Sequence, residues 1–134
     1  MRRSDVTFLT PEDVEGLHEA ALEAGGGAGG IRDRGQVIAA TMAPQNAYVD
    51  TLAGLAAVYA HGIAESQAFL DGNKRTGLAV AAAFLLGNGQ RVTLSADEGV
   101  RLMVGLATGE VSRDDLADAF ALAMGGDAVA LEEE

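Results

Sequence analysis

The chain has no cysteine. That excludes a disulfide framework and thiolate chemistry, and it agrees with a cytoplasmic location. Aromatic residues are scarce, at 4%, and the 49% hydrophobic content is mostly Ala, Leu and Val, a composition that favours closely packed helices. Positive charge is scarce too: nine Lys and Arg stand against twenty Asp and Glu, for a formal net charge of -11. Nucleic-acid binding needs clustered cations to neutralise phosphates, so this balance argues against it. The partner it favours is a basic one, or a nucleotide held by a small local patch of positive charge. No apolar run reaches the roughly 18 residues a membrane-spanning helix needs, and Met1-Arg2-Arg3-Ser4-Asp5 leads into no signal-peptide core. The expectation is a soluble protein with no membrane partner. With 134 residues the chain is expected to be one domain, large enough to bury a core without metal or disulfide support.

What is present is concentrated in residues 67 to 75, Gln67-Ala68-Phe69-Leu70-Asp71-Gly72-Asn73-Lys74-Arg75, where polar groups converge between two apolar helical runs. Gly72 permits a tight turn, Asn73 is placed to cap the second of those helices, and Thr76 to Leu86 is apolar enough for that helix to be buried. A turn that feeds a helix start is an anion site. The first N–H groups of the helix have no partner in the helix and the dipole is positive there. Lys74 and Arg75 add two full charges at that end, against the dipole, which costs a few tenths of a kcal/mol each and suggests that an anion belongs between them. Asp71 offers a carboxylate for a magnesium ion bridging phosphate oxygens. Phe69, an aromatic within a polar turn, is expected to anchor the loop in the core. The bland alternative is a simple Asp71-Gly72-Asn73 turn before an exposed first helical turn.

Along the rest of the chain, Thr10-Pro11-Glu12-Asp13 starts a helix that places Val14, Leu17, His18, Ala21 and Leu22 on one face. It stops at the glycine-rich residues 25–30, which predict a mobile surface loop too flexible to pack. A short helix over 35–43 ends at Pro44, whose ring bars helical geometry from the residue before it. Tyr48 and Val49 lie in a linker, with Asp50 as a cap. Leu52, Leu55, Ala56, Tyr59 and Ile63 then define a central amphipathic helix leading into residues 67–75. Gly87-Asn88-Gly89 ends the next helix, and Arg91-Val92-Thr93-Leu94 reads as an extended connector. Ser95 and Ser112 open two further helices, with Val100, Met103, Val104 and Ala107 inward on the first and Leu116, Ala119, Phe120 and Ala123 on the second. The fold class expected is all-α: a compact bundle of five or six helices around a central antiparallel pair, with a short extended flap near residues 44–50. The domain runs over 1–126, and 127–134 forms an acidic, frayed tail.

Residues 67–75 resemble the signature of the Fic/Doc family, His-x-Phe-x-Asp-(Gly or Ala)-Asn-Lys-Arg, in its Doc (death-on-curing) form. Leu9-Thr10-Pro11-Glu12-Asp13-Val14, Gly30-Ile31-Arg32-Asp33-Arg34-Gly35 and Phe84-Leu85-Leu86-Gly87-Asn88-Gly89 also look like Doc-family segments in the expected order. The resemblance implies ATP and Mg²⁺ as ligands, with Gly72, Asn73, Lys74 and Arg75 on the nucleotide, Asp71 on the metal, and Asp71, Lys74 and Arg75 in the catalytic set. It also places Arg32 and Arg34 near the mouth of the site, although both are equally able to pair with Asp33 and nearby acids at a helix entrance. The family's catalytic His is the general base on the hydroxyl being modified, and its place is taken here by Gln67. An amide has no proton equilibrium near neutral pH. Two origins are open for Gln67, natural divergence or a deliberate replacement of the histidine so that a toxic protein can be produced in a host; Glu65-Ser66 and Ala68 also depart from the family's typical flanks, which favours natural divergence.

Neither histidine is a replacement on sequence grounds. His61 lies about 9 Å upstream along a helix rising ~1.5 Å per residue and points elsewhere, so it reads as a helix-interior residue bonded to a neighbour, and His18 reads as a satisfied core histidine. The leading expectation is therefore a Doc-type toxin of a bacterial toxin-antitoxin module. It would transfer the ATP γ-phosphate to a hydroxyl of a translation factor such as elongation factor Tu, and an antitoxin protein that docks a helix would neutralise it. Gln67 would reduce or abolish the activity. The alternatives are a catalytically silent module that binds nucleotide or antitoxin and, behind it, an AMP transferase.

Overall fold

The computed structural model describes residues 1–133, and its described residues form six α-helices and no sheet. They are α1 (Pro11–Gly25), α2 (Arg34–Met42), α3 (Leu52–Glu65), α4 (Asn73–Gly87), α5 (Ala96–Thr108) and α6 (Arg113–Ala123). The fold is all-α, as expected.

The starts of these helices are written in the sequence as hydroxyl and carboxylate caps. Thr10, Ser95 and Ser112 each close a reciprocal capping box, with Asp13, Glu98 and Asp115 as the returning carboxylates. The Ser95 and Ser112 bonds hold the Glu98 and Asp115 carboxyls below their usual range. Asp33 caps α2. At α3 the cap is Thr51, whose Oγ1 accepts from Gly54 N at 3.0 Å, and not Asp50. Pro44 does not bar helical geometry before it: Ala43 sits at φ -53°, ψ -42°, and the chain tightens into a 3₁₀ turn over Ala43–Asn46. A residue before proline is only disfavoured there, and proline suits the first turn of a new helix. The expected flap is accordingly shorter, with only residues 47–51 extended and Tyr48 wholly exposed.

α3 is the axis of the molecule. It is not amphipathic but enclosed: every residue from Leu52 through Ala60 is buried, because α2, α4 and α6 all pack on it. Its Ala and Gly residues let neighbours come close. A Cβ added to Gly77 of α4 would lie 2.7 Å from the Ala60 carbonyl oxygen, so only glycine fits that crossing. The pair is antiparallel, with Gly77 near Ala60 and Ala64, and Phe84, further along α4, against Tyr59 at 4.9 Å between ring centroids. α5 turns a different face inward from the one its apolar spacing suggests. Gly99, Met103 and Leu106 are buried while Val100, Val104 and Ala107 are exposed. Gly99 lies against Leu78, and its missing side chain leaves room for that contact. On α6, Leu116 and Phe120 are buried, and Ala119 and Ala123 are half-buried.

Residues 127–133 of the segment expected to fray are tied down; Glu134 lies outside the described residues. The carbonyls of Val129 and Ala128 accept from Leu52 N (2.9 Å) and Ala53 N (3.1 Å), the amides at the start of α3. Leu131 N donates to Asp50 O at 2.7 Å, and the Leu131 side chain is buried. Buried amides at a helix start need acceptors, and the C-terminal segment supplies them.

Tyr59 is completely buried and its hydroxyl accepts from Leu9 N at 3.0 Å. Burial pushes its pKa up, the charge of Asp13 adds to this, and the Leu9 bond partly opposes it. Stability from the neutral phenol is therefore present below the unfolded value, roughly 10, and lost as pH rises through the higher folded value. Thermal melts above pH 10 should show a falling midpoint in the wild type and a smaller fall in Tyr59→Phe.

Candidate functional site

The signature loop joins the central pair, and three elements hold it. From below, Phe69 is buried and stacks on the imidazole of His18 from α1, at 3.8 Å between ring centroids and 8° between planes. His18 Nε2 faces the Asp71 carbonyl oxygen at 2.8 Å; a carbonyl only accepts, so this nitrogen carries the proton. His18 is the satisfied core histidine expected, and it also clamps the loop, which the sequence did not reveal. The His61 side chain makes no hydrogen bond among the described residues, against the neighbour contact expected of it.

From within, the Asn73 amide grips the loop's own backbone. Its Oδ1 accepts from Phe69 N (3.2 Å) and its Nδ2 donates to Phe69 O (3.0 Å). Asn73 is thus the first residue of α4 rather than its cap, and its side chain is spent on the turn rather than free for an anion. The cap position falls to Gly72, at φ +78°, a left-handed conformation that suits glycine.

From the side, residues 25–33 lie along the loop. This stretch is exposed as predicted, but it does pack. Arg32 N and Asp33 N both donate to Ala68 O, at 2.7 and 3.1 Å, and Leu70 N donates to Gly30 O at 3.3 Å. The glycines make room: a Cβ on Gly25 would collide with the Arg75 guanidinium, and one on Gly27 would lie 2.7 Å from Asp71 Oδ2.

Above this bed lies a cleft of about 310 Å³ lined by Ala64, Ser66, Gln67, Leu70 and the run from Asp71 to Arg75. The predicted site residues are brought together here, with Phe69 beneath. Their states differ. Lys74 is exposed and, among the described residues, has no ion pair or hydrogen bond. The Asp71 carboxylate accepts from Gly72 N (2.8 Å) and Ala28 N (3.3 Å), which orients it and leaves lone pairs unused. Arg75 reaches back to the C-terminal end of α1, donating to Ala21 O (3.2 Å) and Gly26 O (2.6 Å). There its charge meets the negative end of a helix dipole rather than the open cleft. The two arginines before α2 divide. Arg34 pairs with Glu12 and Glu15 at 3.5 and 3.3 Å, whereas Arg32 donates to Gln67 Oε1 at 2.8 Å. Gln36 also belongs to the site, since its Oε1 accepts from Gln67 N at 2.7 Å. Nothing in the local sequence marks it, because the contact exists only across the fold.

Every α-helix here except α4 has a side-chain cap. Among the described residues, the first amides of α4, on Asn73, Lys74 and Arg75, meet no acceptor at all. The contrast with α3, whose first amides are filled by the C-terminal segment, is direct. Three unfilled N–H groups, the helix dipole and a free ammonium give the cleft the donors and the positive potential that an anion would need. No cluster of three or more His, Cys, Asp or Glu among the described residues is arranged to hold a metal. Asp71, with lone pairs left unused, is the carboxylate in the cleft that would hold a Mg²⁺.

The chain belongs to the Fic/DOC family, which residues 8–85 match. It is similar to the protein kinase doc of Escherichia phage P1, at 36% identity over 114 residues, covering 82% of this chain and 90% of the phage protein. No helix among the described residues is long and apolar enough to cross a membrane.

Proposed function

We propose that this protein is a Doc-type toxin of a bacterial toxin-antitoxin module, working in the cytoplasm. It transfers the γ-phosphate of ATP to a hydroxyl of a translation factor of the elongation factor Tu kind, and a short antitoxin protein restrains it. The observation that carries the reading is the cleft at the start of α4, where unfilled amides and the free Lys74 stand beside a backbone-oriented Asp71. The similarity to a protein kinase of the same family points the same way.

Phosphoryl transfer asks the protein mainly to position charge. The Asn73, Lys74 and Arg75 amides and the Lys74 ammonium hold phosphate oxygens. Asp71 would hold Mg²⁺, which would supply neutralisation of phosphate charge. The target hydroxyl oxygen attacks the γ-phosphorus, the bond from that phosphorus to the bridging oxygen breaks, and ADP leaves. Gln67 has no basic atom to receive the hydroxyl proton, which passes to the transferred phosphate or to water. Absence of a general base costs ~10²- to 10⁴-fold in rate. The same amide favours the second reading, a silent module that holds nucleotide or antitoxin.

Incubation with a candidate target and ATP labelled in either the γ- or the α-phosphate separates these outcomes. Label from the γ position alone on the protein target is the expected result. Label from the α position would mean AMP transfer, and none from either would leave the silent module.

A further inference from the structure

Gln67 is held twice, both times from the entrance to α2. Its backbone N–H donates to Gln36 Oε1 at 2.7 Å, and Gln36 Nε2 in turn donates to Asp33 Oδ2 at 3.3 Å. Its side-chain Oε1 accepts from Arg32 Nη1 at 2.8 Å. A guanidinium has donors only, so the atom of the amide turned towards Arg32 must be the oxygen. The end left over is Nε2, with two N–H groups and no acceptor among the described residues, on a side chain that lines the cleft with Lys74 and the first turn of α4.

From this we infer that Arg32 is a positioning residue that fixes Gln67 as a hydrogen-bond donor to a phosphate oxygen of the bound nucleotide. The inference rests on the nucleotide reading above and assigns position 67 a different task from the one a histidine would have there. The oxygen of the amide, the one atom able to receive a hydroxyl's hydrogen, already faces a guanidinium. What Gln67 offers the cleft matches its neighbours: helix amides and an ammonium, all donors, facing a ligand whose terminal oxygens are all acceptors. Asp71 stands apart as the acceptor, the residue that would hold the cation accompanying the nucleotide. Arg32 is exposed and no other described residue bonds the amide, so without it the Gln67 side chain is free to rotate.

The test is a titration of ¹⁵N-labelled protein with Mg-ATP, monitored by NMR at the Gln67 side-chain amide and by calorimetry. Gln67→Ala identifies the resonance. In the wild type the Gln67 N–H signals should shift as nucleotide binds. A hydrogen bond to a charged group is worth roughly tenfold in affinity. Arg32→Ala should therefore lose the shift and bind about tenfold more weakly, and Arg32→Lys, which keeps a donor, should recover most of both. Gln67→Glu keeps an acceptor for Arg32 but replaces the donor with an anionic oxygen, and it should also bind at least roughly tenfold more weakly. The Arg32→Ala/Gln67→Ala double variant should be no weaker than Gln67→Ala. Additive losses would mean that Arg32 binds phosphate by itself, and wild-type affinity in Gln67→Glu would mean that no donor is used; either overturns the inference. A wild-type protein that takes up no Mg-ATP removes the nucleotide reading as well. Binding that falls in Lys74→Ala but ignores Gln67→Glu removes only the role given to Arg32 and Gln67.

Discussion

Gln67→His is expected to raise the rate of phosphate transfer by ~10²- to 10⁴-fold, the range typical of a positioned general base. The position is already built to hold a side chain still, with its backbone anchored on Gln36 and its side chain within reach of Arg32. An imidazole there would bring a group that titrates near neutral pH into a cleft that has none facing the substrate hydroxyl. The neighbouring guanidinium would disfavour the charged form and so keep the ring neutral, the state a base requires. Arg32 would also compete for the ring's single acceptor nitrogen. For that reason Gln67→His combined with Arg32→Ala should transfer faster than Gln67→His alone. Transfer of labelled γ-phosphate to target, measured under single-turnover conditions, reads both effects. An unchanged rate in both variants would place proton removal somewhere other than position 67.

Phe69→Ala is expected to cost about 3–5 kcal/mol of stability, the usual range for deleting a buried aromatic ring. The ring is buried and lies flat on His18, so its removal leaves a cavity beneath the loop and frees the imidazole that clamps Asp71. The loop and the global fold should therefore weaken together, with Mg-ATP binding lost before the protein unfolds. Leu70→Ala, next along the chain but exposed, is the control and should stay within about 0.5 kcal/mol of wild type. Urea unfolding of the two variants checks the pair. A loss below about 1 kcal/mol for Phe69→Ala, well under the usual range, would show that the loop is held without its ring.

Much of this was legible because the chain writes its helix starts into single residues. Thr10, Ser95 and Ser112 each carry an oxygen that meets the third residue of the coming helix, and a carboxylate there returns the bond. Two caps differ from the reading: Thr51 rather than Asp50 caps α3, where two adjacent residues are both able to cap, and Gly72 rather than Asn73 stands at the cap of α4, because the Asn73 amide is spent on the Phe69 backbone. The signature loop was legible for a related reason: its turn glycine, anchoring ring and cations are contiguous, and they do converge on one cleft.

What could not be read were bonds between residues far apart in the chain. Arg75 carries the same charge as Lys74, yet it bonds the Ala21 and Gly26 carbonyls while Lys74 is left free, and Gly25 leaves the room its guanidinium occupies. The acidic end of the chain carries no local signal for order and gains it from the amides of α3. On α5 the apolar spacing at 100, 103, 104 and 107 fits a helix face well, yet only Met103 of the four is buried. Gly99, buried beside it, packs against Leu78 with no side chain of its own in the way.

The central claim is that the first turn of α4 receives the phosphates of a nucleotide, and calorimetric titration with Mg-ATP tests it most directly. The prediction is saturable binding at one site per chain, weakened roughly tenfold or more by Lys74→Ala, which removes the one free cation found lining the cleft among the described residues. Wild-type protein that releases no heat and shows no saturation with Mg-ATP would contradict it.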